Sequence, residues 1–148
     1  MSIRLRHPSA RLVAAAACAL AMSVAPAAMA ADAAPPNRIV VQVSDNDPGK
    51  WNLALNNARN IQTDLGAGNV AIEVVAYGPG INMLKMDSPV AGRVDEALGA
   101  GVKVVACENT MRNAKLTKAD MMNNVGYVPA GVVEIMQKQQ QGWAYLRP

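Results

Sequence analysis

Three short apolar runs rich in β-branched residues limit what this chain can become: "RIVVQV" at 38–43, "VAIEVVAY" at 70–77 and "VKVVAC" at 102–107. Each is too short for a helix of ordinary length and contains no turn residue, so each reads as a strand. The second is apolar nearly throughout, as expected of a strand covered on both sides. Helical patterns separate them. Over 50–65, Trp51, Ala54, Leu55, Ala58, Ile61 and Leu65 recur at three- and four-residue steps and form one apolar face, ended by "GAGN". "SPVAGRVDEALGAG", 88–101, reads as a second helix with Ser88 as cap and Pro89 in its first turn. "LTKADMM", 116–122, has Thr117 followed three residues later by Asp120, a variant of the capping box. "PAGVVEIMQKQQQ", 129–141, predicts a last helix with Val132, Val133, Ile135, Met136 and Gln139 on a partly buried face. "WAYLR" supplies a closing short strand. The order β-α-β-α-β-α-α-β predicts an α/β fold, a mostly parallel sheet with helices on both faces.

The N-terminus changes the charge balance. Residues 1–11 hold three arginines and no acid, 12–25 are apolar, and "PAAMA" carries Ala28 and Ala30 in a small-x-small pattern. These are the three regions of a secretory signal, with cleavage expected after Ala30. The apolar run is shorter than the roughly 20 residues of a membrane span. The expected product is periplasmic and not membrane-bound. A short Pro-rich linker, 31–37, precedes a single domain at 38–148. The chain of 148 residues has 14 Lys+Arg and 11 Asp+Glu; without Arg4, Arg6 and Arg11 the cations fall to 11 and the net charge to zero. The basic character of the full chain therefore gives no support for nucleic-acid binding, and no basic stripe is present.

The only histidine is His7, inside the signal. The remaining chain has no Ser-His-Asp or Cys-His pair and no His-based metal site. It calls for no cofactor. Its single cysteine, Cys107, closes the third strand and cannot form an intramolecular disulfide.

In an open α/β sheet, ligands bind beyond the carboxyl ends of the strands. The loops expected there gather Asp45, Asn46, Asn52, Tyr77, Gly78, Gly80, Cys107, Asn109, Thr110 and Arg112. Cys107 lies where free backbone N–H groups favour a thiolate, and Arg112 is near enough in sequence to add positive charge. The alternative is a buried structural thiol. "GPG" at 78–80 is either an anion cradle or a tight turn, the latter weighing more. Asn52, Asn56 and Asn60 share one stripe of the first helix, suited to a polar interface, a bracing network or a solvated face. Met111, four residues after Cys107, permits a soft Cu(I) pair, against the commoner role of methionine as core filler.

The motifs "DNDPGKWNLALNNARN", "VVAYGPGINML", "GVKVVACENTMRN", "LTKADM" and "VPAGVVEIMQKQQQGWAYLRP", in this order, resemble the DsrE family, most closely the exported, single-domain branch of its DsrE/DsrF and YchN-like group. The resemblance covers nearly all of 38–148. It implies a flavodoxin-like three-layer α/β/α fold that assembles into homo-oligomers, trimers or hexamers. It also implies sulfur-relay chemistry, in which a cysteine at the end of a sheet strand carries sulfur as a persulfide between donor and acceptor proteins. Cys107 stands at the matching place, and Tyr77, Gly78, Asn109 and Thr110 would shape its pocket. Such a protein is a sulfur carrier, transferase-like at most. The competing expectations are a non-catalytic periplasmic oligomer that binds a ligand or partner, and a Cu(I) protein using Cys107 and Met111.

Overall fold

A computed structural model of the chain describes residues 35–148; the expected signal and most of the Pro-rich linker lie outside the described residues. Five strands form one sheet: β1 (Asn37–Val43), β2 (Val70–Ala76), β3 (Lys103–Cys107), β4 (Gly126–Val128) and β5 (Ala144–Leu146). The spatial order is β4-β3-β2-β1-β5 and every neighbouring pair is parallel. Four helices connect them: α1 (Pro48–Leu65), α2 (Ala91–Gly99), α3 (Glu108–Asn113) and α4 (Gly131–Gln140). The α/β class and parallel sheet expected from the sequence are those of the structure.

Helix α1 starts where its sequence directs. Asp47 Oδ1 accepts from Gly49 N at 2.8 Å, Pro48 occupies the first turn, and Gly66, at φ 84°, ends the helix with its N–H on Gln62 O at 2.9 Å. Trp51, Ala54, Leu55 and Ala58 are buried, whereas Leu65 at the frayed end is exposed.

Period-two alternation divides the strands between two cores. Val41, Val43, Ile72, Val74, Ala76, Val104 and Ala106 face α1, α2 and the 3-10 segment Gly78–Leu84 in the main core. Val40, Val75, Val105 and Val128 face the other way and meet Ile135 of α4, with Tyr77 and Trp143 packed against them. Each such valine or isoleucine, fully buried, stabilises the fold by about 1.5–3 kcal/mol. Both faces carry helices, but the second is covered by α4 alone.

Three local expectations change. The segment 116–122 is a 3-10 turn, Lys118–Asp120; Asp120 Oδ2 accepts from Thr117 N at 2.7 Å and Thr117 Oγ1 at 2.8 Å, and the chain then runs extended through Met121, which bridges Lys85. Helix α2 begins at Ala91 rather than at Pro89, because Ser88 heads a tight turn: Ala91 N donates to Ser88 O at 3.1 Å and Val90 N to Ser88 Oγ at 3.4 Å. In α4 only Gly131 and Ile135 are buried; Val132 and Met136 are 57% and 50% exposed.

Candidate functional site

Cys107 ends β3 and caps α3, and it is the one free cysteine among the described residues. The residue is 4% exposed. Its Cα is in register with Val128 at the end of β4, from which Pro129 and Ala130 lead into α4. That connection folds over the sulfur. Asn109 N donates to Pro129 O at 3.1 Å, and Gly131 N donates to Cys107 Sγ at 3.2 Å.

Gly131 is a residue that the sequence did not mark. A Cβ there would stand 3.0 Å from Tyr77 Cβ, 3.2 Å from Val75 Cγ1 and 3.3 Å from Cys107 Cβ. Only a glycine lets the first turn of α4 settle this closely on the ends of β2 and β3.

Burial pushes the Cys107 thiol up, but hydrogen-bond donors outweigh it and hold it below the ordinary thiol value. The Thr110 hydroxyl and the backbone N–H groups of Gly131, Thr110 and Asn109 lower it; of these, Gly131 N is the one hydrogen-bonded to Sγ, while Asn109 N is directed to Pro129 O. The thiolate is thus favoured by oriented dipoles. The guanidinium of Arg112 does not supply the charge expected of it, since it turns to Asn109 Oδ1.

Tyr77, Gly78, Cys107, Asn109 and Thr110 are brought together at the carboxyl edge of the sheet. Gly78 N donates to Thr110 Oγ1 at 2.9 Å across the gap between the β2 and β3 loops. A depression of about 370 Å³ opens beside this bond, lined in part by Gly78, Asn82, Thr110 and Asn113. The "GPG" amides are spent internally: Gly78 N on Thr110, Gly80 N on Tyr77 O at 3.1 Å. Gly80 is demanded by sterics, because a Cβ would lie 2.3 Å from Val43 O. This is a tight crossing rather than a cradle.

The remaining expected residues go elsewhere. Asp45 pairs with Lys50 at 3.1 Å and Arg147 at 3.6 Å, tying the β1 loop to the C-terminus. Its carboxyl is held below the usual range by the hydrogen bond from Lys50. Asn46 Oδ1 accepts from Asn82 Nδ2 at 3.2 Å. Asn52 faces α2: Arg93 donates to Asn52 Oδ1 and, at 2.6 Å, to Asn56 Oδ1. Asn52 and Asn56 therefore brace α1 against α2, on the opposite side of the sheet from α4, while Asn60 is exposed. Met111 is buried in the main core, while Cys107 Sγ faces the first residue of α4, so the two sulfurs do not form a shared soft-metal pair. No cluster of three His, Cys, Asp or Glu suited to a metal occurs among the described residues.

A second polar feature lies under α4. Glu73, in the middle of β2, is 0% exposed; its Oε2 meets Lys138 at 2.9 Å and Lys103 at 3.1 Å. Lys138 also reaches Glu134 at 3.5 Å and sits 4.3 Å from the centroid of Trp143. Desolvation pushes Glu73 up, yet the two ammonium groups bring it below the usual carboxylate value; Glu134 is raised, by desolvation first and by Glu73 second. This cluster fastens α4 to the sheet.

The model of the DsrE/DsrF-like family matches residues 14–148. The chain belongs to that family. A protein of unknown function from Methanobacterium thermoautotrophicum, MTH1491, is 40% identical, with a TM-score of 0.72 over 76% of this chain and 99% of its own. BT1422 from Bacteroides thetaiotaomicron, a conserved protein of unknown function, aligns at 14% identity and a TM-score of 0.63, covering 76% of this chain and 95% of its own. The ychN protein from E. coli aligns at 13% identity and 0.63, covering 76% and 99%. The last two likenesses are of fold. Comparison with curated proteins gives no match. No helix among the described residues is long and apolar enough to cross a membrane.

Proposed function

We propose that this DsrE-family protein is an exported, thiol-based sulfur carrier acting through Cys107. The observation that carries the reading is a lone thiol at the carboxyl edge of the sheet whose Sγ accepts a hydrogen bond from Gly131 N at 3.2 Å, in surroundings that lower its pKa from the ordinary thiol value. The Cys107 thiolate attacks the outer sulfur of a donor persulfide. A new S–S bond forms on Cys107, the donor S–S bond breaks, and the donor leaves as its thiolate. An acceptor thiolate then attacks the outer sulfur and regenerates Cys107. The exchange has no net redox change and calls for no metal or cofactor. Donor and acceptor are proteins, and neither nucleic acid nor membrane enters the reaction.

The leader, cut after Ala30, sends the domain to the periplasm. There it works as a homo-oligomer, a trimer or hexamer, with the exposed Val132, Val133 and Met136 of α4 as apolar surface for a neighbouring copy. The burial of Cys107 favours one other reading, a non-catalytic oligomer in which the cysteine only packs. Intact-mass spectrometry separates the two. Reduced protein exposed to a sulfane-sulfur donor gains one sulfur atom, and Cys107→Ser gains none. No adduct on the native chain, with the thiol silent to alkylation until unfolding, refutes the carrier.

A further inference from the structure

We propose that the Glu73–Lys138 ion pair is a latch that governs access to Cys107: it ties α4 to the sheet and so keeps the first turn of that helix over the sulfur. The inference concerns access to the thiol and stands apart from what the thiol carries.

The sheet-facing side of α4 is a single stripe. Gly131, Glu134, Ile135 and Lys138 fall at steps of three and four residues, while Val132, Val133 and Met136 lie off it and are exposed. Gly131 and Lys138, the ends of the stripe, are about 10 Å apart along the helix axis. Strand β3 presents a matching pair of ends on the same face, Lys103 and Cys107, about 13 Å apart along the strand. Helix and strand run in opposite directions. Gly131 N meets Cys107 Sγ at 3.2 Å, and Lys138 meets Glu73, the register partner of Lys103, at 2.9 Å. The cover and the ion pair are thus opposite ends of one helix.

Little else holds that helix. Ile135 is its one buried apolar side chain, where α1 buries Trp51, Ala54, Leu55 and Ala58. Gly131 has no side chain to contribute. Glu73 is fully buried and flanked in the sheet by Val40 and Lys103. Its oxygens accept no aligned hydrogen bond, so the carboxylate depends on the charges of Lys138 and of Lys103, 3.1 Å away. Lys103 belongs to the sheet and is mostly exposed. Lys138 comes from the helix, is 15% exposed, and is enclosed further by Glu134 at 3.5 Å and the Trp143 ring at 4.3 Å. Lifting α4 takes the better-enclosed cation from a buried carboxylate. The cost of uncovering the sulfur is therefore set about two helical turns away from it.

The test is iodoacetamide alkylation of Cys107 in the folded protein at a series of low urea concentrations, each rate divided by the thiolate fraction from absorbance. Reaction through local opening is nearly flat in urea, whereas reaction through global unfolding rises steeply with it. The chains compared are the native protein, Glu73→Gln, Lys138→Met, Lys103→Met and Arg93→Met. Glu73→Gln and Lys138→Met are expected to raise the flat component about tenfold or more. Lys103→Met and Arg93→Met are expected to leave it at the native level, whatever they cost in stability, because neither removes a tie between α4 and the sheet. If Glu73→Gln does not fold, Lys138→Met carries the same expectation from the helix side, at a position that still touches water. A flat component unchanged in Lys138→Met, or raised as much by Lys103→Met or Arg93→Met, overturns the proposal. So does a series in which every chain reacts only along the steep route. The carrier fails separately: a native chain that never gains sulfur refutes it, and leaves the latch standing where the two variants open.

Discussion

Replacing Gly131 by alanine tests the packing and the chemistry of the site together. The added methyl carbon would lie 3.0, 3.2 and 3.3 Å from Tyr77 Cβ, Val75 Cγ1 and Cys107 Cβ. Carbon contacts relax at roughly 3.5–4.0 Å, so about half an ångström must be found. The three neighbours belong to the central strands β2 and β3 or their first loop residue, which have nowhere to go. Helix α4 must therefore retreat. Overpacking of this kind costs about 1–3 kcal/mol, offset by up to about 1 kcal/mol from the better helix propensity of alanine. A net loss of about 1–2 kcal/mol is expected, a drop in Tm of about 4–8 °C for a domain of this size. The retreat also carries Gly131 N away from Cys107 Sγ, from 3.2 Å toward about 3.7 Å, a longer and weaker bond to sulfur. The thiol pKa rises by part of a unit, because a donor that favoured the thiolate has withdrawn. Urea denaturation gives the first quantity and thiolate absorbance the second. A variant as stable as the native chain, with the same thiol titration, would mean that the first turn of α4 does not sit on the cysteine.

Three further outcomes follow from the charged groups. Glu73→Gln leaves Lys138 largely buried with only Glu134 and the Trp143 ring; because Lys103 can return to water, the loss belongs at or below the low end for a broken buried pair, about 2–3 kcal/mol by urea denaturation. An unchanged midpoint would remove the cluster from the account of what fastens α4. Arg93→Met deletes the bonds to Asn52 and Asn56 and is expected to cost about 1 kcal/mol without altering the thiol titration, since α1 and α2 lie across the sheet from α4. A shifted titration would contradict that separation. In stability against pH, the two carboxyls act oppositely. The lowered Glu73 stabilises above the unfolded glutamate value, and that stability is lost as pH falls through its folded pKa. The raised Glu134 contributes stability that is full below the unfolded value and lost as pH rises through its folded pKa. Glu134→Gln should therefore abolish the decline on the alkaline side and keep the one on the acid side; a native-like profile would refute the assignment.

What was legible in the sequence was what short windows encode. The three β-branched runs gave three strands, and the period of α1, its Asp47-Pro48 start and its Gly66 stop gave that helix. Strand β4 escaped because three residues between Asn124 and Pro129 hold no period, and its pairing with β3 makes it a strand. The apolar pattern of α4 was read as partly buried; with no second helix beside it, only the side that includes Ile135 finds a partner. The position of Cys107 followed from topology. Its surroundings did not, because Gly131 lies 24 residues away and Gly78 reaches Thr110 across 32. Glu73, inside an apolar strand, was the one local signal passed over. A carboxylate in a doubly covered strand requires cations, and Lys103 in register beside it supplies the first.

The unequal cover of the two sheet faces bears on how the sulfur is reached. The main core takes α1, α2 and the 3-10 segment, whereas Cys107 lies beneath a single helix seated through Gly131, Ile135 and the Glu73 cluster. Local opening draws on the parts of a fold with the fewest buried contacts. Displacement of 129–131 is then expected to expose Sγ at less cost than opening the sheet. The same movement removes Gly131 N–H from the sulfur, while the bond from Gly78 N to Thr110 Oγ1 across the other loop gap is left in place. If Cys107 carries sulfur, as proposed above, entry of a donor requires 129–131 to move aside, and the bond that orients the sulfur in the closed form is then the first to be given up.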